Sequence, residues 1–312
     1  MEKFIILPDV TCDLSPALRE QFGLADYVRG WVHIDDQPIQ TTLDWENISR
    51  EEFYKTLENK KHTVSSAAAS PEEYYQLFRR YLAEGYDVLS MSISSKISVT
   101  YNTASAAATR AGAEFPERRI YAFDSLRMSG SFGLLVAYAL ELQKQGKSFD
   151  EVVAWLEENK HCVHQMGPID DLTFIARRGK ISKGKAFMGN LAGVKPMGDC
   201  NTDGYVTVLA KVKGIKKALE ASATYITRMA TDPENQYIFI MHSDREKYAN
   251  EFKALLESRL NCRAVLVSDV FDGCGTNIGP GMISAYFLGT PVSEECEHEK
   301  EVLTEIVASL SK

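Results

Sequence analysis

The sequence predicts an α/β fold of two domains: a Rossmann-like parallel sheet with flanking helices, and a smaller mixed α/β domain. Two observations support this prediction. Apolar strand-like runs alternate with helical segments through the first half, an order typical of a parallel sheet covered on both faces. In the second half, the turn signal Asn201–Gly204 precedes the apolar run Tyr205–Lys213, which predicts a hairpin and therefore some antiparallel sheet.

We expect two domains, because 312 residues are more than one typical domain contains. We place the boundary near Lys160, since the pattern of strands and helices differs between the two halves. The first domain then covers residues 1–160 and carries the hydroxyl-rich loops, and the second covers residues 161–312. A C-terminal segment that returns to the first domain is an alternative that the sequence leaves open.

Helix caps and apolar runs define the individual elements. Ser70 precedes Pro71, and Glu73 stands three residues after Ser70, which is the pattern of a capping box at a helix start. Ser49 and Glu52 repeat the pattern. The predicted strands are Phe4–Leu7, Tyr27–Ile34, Val88–Ile93, Arg119–Asp124, Tyr237–His242 and Ala264–Val267. The predicted helices are 15–23, 49–59, 71–84, 100–113, 131–145, 148–160, 215–230 and 245–260.

The composition is that of an ordinary globular protein, with 25% charged and 45% hydrophobic residues. A net charge of −8 argues against binding to nucleic acid or to anionic membranes, since both require a basic surface. No apolar run approaches the length of a membrane span, and the N-terminus enters a strand directly rather than a signal peptide. We therefore expect a cytoplasmic protein without a membrane span.

Three stretches rich in hydroxyls or glycine are candidates for a binding site: Ser65–Tyr74, Ser94–Asn102 and Gly275–Gly281. Short hydroxyls and free backbone amides at helix starts suit an anionic group. The second stretch also follows a predicted strand, at the end of a parallel sheet where ligands bind. Each stretch has a purely structural interpretation as well, as turn or capping residues. None carries an obvious nucleophile–base pair, which favours a binding protein over a catalyst.

Two enzymatic alternatives use the same strand-end loops. A serine hydrolase would take Ser66, Ser95 or Ser98 as its nucleophile, but no G-x-S-x-G elbow is present. A magnesium-dependent phosphotransfer enzyme would use Asp9 and Asp124, but no phosphate-cradling glycine loop accompanies them.

The cysteines and histidines do not predict a metal centre. Six cysteines are scattered without a C-x-x-C pair, which argues against a disulfide framework and against a zinc ribbon. The one metal-like cluster, His161-Cys162-Val163-His164, has no acidic or cysteine partner at a recognisable spacing. We therefore expect neither a metal site nor a cofactor.

The three stretches, in this order, resemble the DegV family of bacterial fatty-acid-binding proteins. The resemblance extends from about residue 4 to about residue 290. Four further segments contribute to it, namely Pro8–Asp13, Phe123–Ser125, Arg177–Ser182 and Val194–Pro196.

The resemblance implies that the chain binds one long-chain fatty acid, with the acyl tail in an apolar tunnel and the carboxylate at the domain interface. Members of the family present the acid to a separate fatty acid kinase, which makes acyl-phosphate. The chain would therefore be a lipid-binding acyl-chain carrier, a non-catalytic subunit of a fatty acid kinase system.

The resemblance also assigns residues to the head group. The hydroxyl of the first loop becomes Ser66, and the serine of the second loop becomes Ser98 or Ser95, with the register leaving the choice open. Asn277 stands where relatives often carry histidine in an H-x-G-P-G segment. An asparagine amide can donate a hydrogen bond to a carboxylate, but it cannot carry a positive charge.

Further positions support the head group by resemblance. Thr100 belongs to the segment Ser98–Tyr101, which has lost the glycine of the usual S-G-T-Y. Lys180 replaces a common arginine, with Arg177 and Arg178 close by in the sequence. These departures predict a weaker or different head-group preference.

Overall fold

The computed structural model describes residues 3–177, residue 180 and residues 193–310. In chain order, the strands are β1 (Phe4–Pro8), β2 (Trp31–Ile34), β3 (Gln37–Gln40), β4 (Val64–Ala67), β5 (Asp87–Ser92), β6 (Ile120–Asp124), β7 (Val163–Met166), β8 (Val194–Cys200), β9 (Val206–Lys213), β10 (Tyr237–His242), β11 (Ala264–Asp269) and β12 (Ile283–Leu288).

The helices, in the same order, are α1 (Pro16–Phe22), α2 (Arg50–Glu58), α3 (Pro71–Ala83), α4 (Thr100–Glu114), α5 (Ser129–Lys144), α6 (Phe149–Asn159), α7 (Thr173–Arg177), α8 (Ile215–Met229), α9 (Glu246–Glu257), α10 (Asp272–Ile278) and α11 (Glu297–Ser309). Within the described residues, no helix is both long and apolar enough to cross a membrane.

A parallel sheet forms the centre of the first half, with strands in the order β1-β5-β6. Every residue of β5 is buried, as expected for a central strand covered on both faces. Helices α3 and α4 contact one another and β5, while α5 contacts β1 and α6 contacts β5. The strand–helix alternation of the sequence therefore predicted this layer correctly.

The second half contains a mixed sheet in the order β11-β10-β12-β7. Strands β10 and β11 are parallel, whereas β12 runs antiparallel to both β10 and β7. Strands β8 and β9 pair as an antiparallel hairpin, which confirms the predicted turn at 201–204. A third small sheet, β3-β2-β4, is antiparallel and belongs to the first half.

Helix α5 joins the two main sheets. Its residues from Ser129 to Leu140 are all buried, and it contacts β1 on one side and β7, β10 and β12 on the other. The largest core cluster accordingly combines side chains from both halves, such as Phe4, Phe132 and Phe239. Because this core is shared, the division at residue 160 stays a prediction.

Local signals explain several helix starts. At α3, the Ser70 side chain accepts the Glu73 N–H and the Glu73 carboxylate accepts the Ser70 N–H, which confirms the capping box. At α2, Ser49 accepts the Glu52 N–H. Each cap satisfies donors that a helix start leaves without partners, worth about 1 kcal/mol.

Two predictions about local structure are wrong. Ser65 and Ser66, interpreted as turn residues, belong to β4, because they pair with His33 and Val32 of β2. The strand predicted from Tyr27 onward is shorter and begins only at β2.

The glycine-rich stretch is largely helical, since α10 extends to Ile278. Gly275 allows a close approach, because a Cβ there would lie 2.7 Å from the Phe53 ring of α2. Gly279, at φ +75°, ends the helix in a conformation that side chains rarely adopt. The glycine-rich sequence did not predict this helix.

Candidate functional site

An apolar cavity lies at the ends of β1 and β5, between the small sheet and helix α10. We call it the outer chamber. Its hydrophobic lining side chains are Val10, Val28, Trp31, Tyr74, Ile93, Ile97, Met128, Ile175, Val206 and Ile278. Polar residues of the predicted site also line this chamber, namely Ser66, Ser98, Thr100, Lys180 and Asn277.

One contact within this polar group joins β4 and α10. The Asn277 side-chain Nδ2 donates a hydrogen bond to the Ser66 hydroxyl at 3.1 Å, across 211 residues of sequence. Helix α10 contacts both α2 and β4, and the small Gly275 permits its approach to α2. This packing places Asn277 opposite Ser66.

A second polar group lies where α4 begins. The hydroxyls of Ser98 and Thr100 are 2.7 Å apart, and the Thr100 N–H donates to the Ser98 hydroxyl at 3.3 Å. The Lys180 ammonium donates to the carbonyl of Ile97 and so lies beside the same loop. One cation and two hydroxyls are therefore available here to an anion.

The polar residues are also reachable from outside. Ser66, Ser98, Lys180 and Asn277 line an open depression on the surface as well as the outer chamber. Ser95 lines the depression but not the chamber. The structure thus brings four predicted residues together at the mouth of the cavity and leaves Ser95 outside it.

The remaining predicted positions are not tested by the geometry. Arg178 lies outside the described residues. For Arg177, the structure describes only the backbone, at the end of α7.

A second apolar cavity adjoins the first, and we call it the inner chamber. Four residues line both chambers: Met128, Ile175, Val206 and Ile278. Most other lining residues of the inner chamber are apolar, including Leu172, Met197, Val208 and Met282. The two chambers thus share part of their apolar lining, and the polar residues of the predicted site lie in the outer one.

The carboxylates at the strand ends accept hydrogen bonds from the loops around the cavity. Asp9 accepts the N–H groups of Thr11 and Ile93, at 2.9 and 2.8 Å, and burial raises its pKa. Asp124 accepts the N–H groups of Ser95 and Leu126, at 3.1 and 3.2 Å. These bonds fix the backbone of the loops that line the cavity.

Asp13 is fully buried beside the inner chamber. Its carboxylate accepts the Ser129 hydroxyl at 2.6 Å and the Phe271 N–H at 3.0 Å. Burial raises the pKa of Asp13 to about 8, although these two hydrogen bonds act in the opposite direction.

One histidine of the metal-like cluster, His164, has structural partners. His164 is fully buried, with Nδ1 2.8 Å from Asp199 and Nε2 2.7 Å from the Thr290 carbonyl. Burial by itself would lower the pKa of His164, but the Asp199 carboxylate outweighs it and the pKa is raised. Within the described residues, no group of three or more histidine, cysteine or acidic side chains is arranged to hold a metal ion.

Sequence reasoning missed the lining of the cavity. Trp31 and Tyr74 line the outer chamber from β2 and α3, and Arg29 reaches its edge. No sequence signal distinguished these residues from ordinary core or surface positions, because their role depends on packing between distant segments.

Comparison with known proteins gives the context of this geometry. The sequence profile of the DegV family, described as an uncharacterised protein family, matches residues 3–290. A DegV domain-containing protein of Clostridium perfringens is 29% identical over 289 residues, covering 93% of this chain and 98% of that protein.

Solved structures agree with this match. A fatty-acid-binding DegV family protein from Thermus thermophilus superposes with a TM-score of 0.82 at 27% identity, covering 92% of this chain and 99% of that one. The Fatty Acid Kinase (Fak) B3 protein of Streptococcus pneumoniae, loaded with linoleic acid, has the same fold, with a TM-score of 0.78 at 19% identity over 92% of this chain and 99% of its own. The resemblance inferred from the sequence motifs is confirmed, and the chain belongs to the DegV family.

Proposed function

We propose that this protein binds one long-chain fatty acid, with the carboxylate at the mouth of the outer chamber and the acyl tail along the two chambers. The observation that carries the proposal is the contrast within one cavity. Ser66, Ser98, Asn277 and Lys180 cluster at the mouth, and the walls behind them are mostly apolar.

The apolar walls supply the affinity in this proposal. Burial of a methylene group contributes about 0.8 kcal/mol, so a chain of many methylenes gains enough to survive purification. The related protein from Thermus thermophilus is described as fatty-acid-binding, which supports the same ligand class.

The polar residues at the mouth would fix the orientation of the fatty acid. A carboxylate there can accept from the hydroxyls of Ser66 and Ser98 and from the amide of Asn277, while Lys180 adds a positive charge. Ser98 lines both the chamber and the outer depression, whereas Ser95 lines only the depression, which favours Ser98 of the two candidates. Thr100, bonded to Ser98, would hold that hydroxyl in position.

The test compares palmitic acid with its methyl ester on delipidated protein, by isothermal titration. The acid should bind with about one site per chain. The ester retains the tail but not the charge, so it should bind more weakly, since hydrogen bonds to charged groups contribute about 1.5–3 kcal/mol. Equal affinity for the acid and the ester would show that the carboxylate does not bind at this mouth. Absence of binding by both would refute the proposal.

We further propose that the protein presents its fatty acid to a separate kinase subunit and is not itself catalytic. Two observations support this. The same residues line both the chamber and an open depression, so a carboxylate among them would be accessible to a phosphoryl donor. The fold is shared with a protein named as a fatty acid kinase component.

The experiment mixes acid-loaded protein with a bacterial fatty acid kinase and ATP, and traps acyl-phosphate as its hydroxamate. Hydroxamate should form only with both proteins present. Its formation by this chain alone would contradict the non-catalytic role, and its absence from the complete mixture would contradict presentation to that kinase.

The hydrolase alternative finds less support in the site. Ser66 is bonded to Asn277 and Ser98 to Thr100, and no histidine lines either chamber within the described part of the chain. A serine nucleophile requires an adjacent base. Labelling of Ser66 or Ser98 by a fluorophosphonate probe would revive this alternative.

A further inference from the structure

The inner chamber carries polar side chains on one face of the mixed sheet. Ser284 and Tyr286 alternate along β12 and therefore point to the same side. Gln165 of β7 pairs directly with Tyr286, so its side chain shares that face. The face is turned toward α5, since a Cβ at Gly130 would lie 2.3 Å from the Tyr286 ring. All three polar residues line the inner chamber.

These polar groups are incompletely partnered. The side-chain amide of Gln165 is half-buried, and within the described residues the structure gives it no hydrogen-bond partner. The Tyr286 hydroxyl is hydrogen-bonded to the hydroxyls of Ser129 and Ser284. Ser129, which also lines the chamber, already donates its proton to the Asp13 carboxylate. Donors and acceptors therefore remain for a ligand that reaches this wall.

A plain alkyl tail is a poor match for such a wall. It would exclude water from the Gln165 amide and would leave that amide without hydrogen bonds, which is unfavourable for a buried polar group. An oxygen atom on the tail would remove that cost. A purely apolar chamber would instead bind a plain alkyl tail more tightly than a hydroxylated one, because burying an unpaired hydroxyl is unfavourable.

We propose that the inner chamber selects fatty acids whose distal half carries a hydroxyl or keto oxygen, hydrogen-bonded by Gln165, Tyr286 and Ser284. The inference rests on the proposed function, and it specifies the ligand class for that same cavity. The carboxylate would remain at the mouth, so the chamber would recognise a second polar group farther along the chain.

The test measures dissociation constants on delipidated protein for stearic acid and for a set of hydroxystearic acids. The hydroxyl is placed at successive carbons of the distal half of the chain. The variants are Gln165→Leu, which removes the free amide, and Tyr286→Phe, which removes one hydroxyl and keeps the ring. Gln21→Leu, at an exposed position on α1 outside both chambers, is the matched control.

The wild-type protein and Gln21→Leu should bind the best hydroxystearic acid about 3- to 10-fold more tightly than stearic acid, as expected for one net hydrogen bond. Gln165→Leu and Tyr286→Phe should lose that preference while retaining affinity for stearic acid. If stearic acid binds and no hydroxystearic acid binds more tightly, this inference is refuted and the proposed function stands. If both variants keep the preference, the assignment to this wall is refuted. If no acid binds, both proposals are refuted.

Discussion

Asn277 donates a hydrogen bond to the Ser66 hydroxyl at 3.1 Å, linking helix α10 to strand β4 at the mouth of the apolar cavity. The two residues come from glycine-rich and hydroxyl-rich stretches that lie far apart in the sequence. Their contact belongs to a polar cluster at one end of a cavity that is otherwise mostly apolar. In our account this contact marks the head-group end of the ligand site.

Replacement of Ser66 or Ser98 by alanine should weaken fatty acid binding by about 1–3 kcal/mol each, or about 5- to 150-fold, because each change removes a hydrogen bond to a charged group. The measurement is isothermal titration of palmitic acid. Ser258→Ala, at an exposed position far from the cavity, is the control. Unchanged affinity in the double variant would place the carboxylate elsewhere.

Substitution of Asn277 by histidine should add a pH-dependent component to binding. A histidine at this position would have a pKa near 6.5 and could become charged beside the carboxylate, which an asparagine cannot. The ratio of wild-type to variant dissociation constants should therefore rise as the pH falls from about 8 to about 5.5. Parallel profiles for the two proteins would show that residue 277 lies away from the head group.

Loss of the His164 side chain should destabilise the fold without involving the ligand. His164→Ala leaves the buried Asp199 carboxylate without its partner, which typically costs about 3–5 kcal/mol. The free energy of unfolding, from urea titration, is the quantity to measure. His298→Ala, at an exposed position on α11, is the control. A loss below about 1 kcal/mol would show that the pair contributes little to stability.

Asp13 should make stability fall as the pH rises. Its pKa is raised to about 8 in the folded protein, against an ordinary value of 3.8, so the folded state holds a proton that the unfolded state has released. The free energy of unfolding should therefore decrease between about pH 4 and pH 8, by at most about 1.4 kcal/mol per pH unit for this one proton.

Asp13→Asn tests this prediction, since an asparagine can still accept the Phe271 N–H and can donate to Ser129. The decrease in the free energy of unfolding between pH 5 and pH 8 should be smaller in the variant. It need not disappear, because burial also raises the pKa of Asp272, to about 7. Asp203→Asn, at an exposed turn, is the control. An identical pH dependence in wild type and Asp13→Asn would contradict the assignment.

Elements with strong local signals could be predicted from the sequence. The proline and capping box at Ser70–Glu73 determine the start of α3, and the apolar run 237–242 coincides with the central strand β10. Strand β3 has no counterpart in the prediction, because its sequence Gln37–Gln40 is polar and contains a proline. It is a strand only because it pairs with β2.

Part of the candidate site could be predicted from the sequence. The motif resemblance pointed to Ser66, to Ser98 or Ser95, and to Asn277. Ser66, Ser98 and Asn277 line one cavity, whereas Ser95 lies outside it. The cavity walls could not be predicted, because residues such as Val28 and Val206 meet there only through tertiary packing. The polar wall of the inner chamber likewise depends on the pairing of β7 with β12, which no local signal specifies.

Native mass spectrometry of the protein purified from a bacterial host, followed by lipid extraction, tests the central claim most directly. The account predicts one fatty acid per chain in the native spectrum, and a free long-chain acid in the extract. Ser66→Ala/Ser98→Ala should show reduced occupancy under the same conditions. A wild-type protein that carries no acyl chain and takes none up when supplied with palmitic acid would contradict the account.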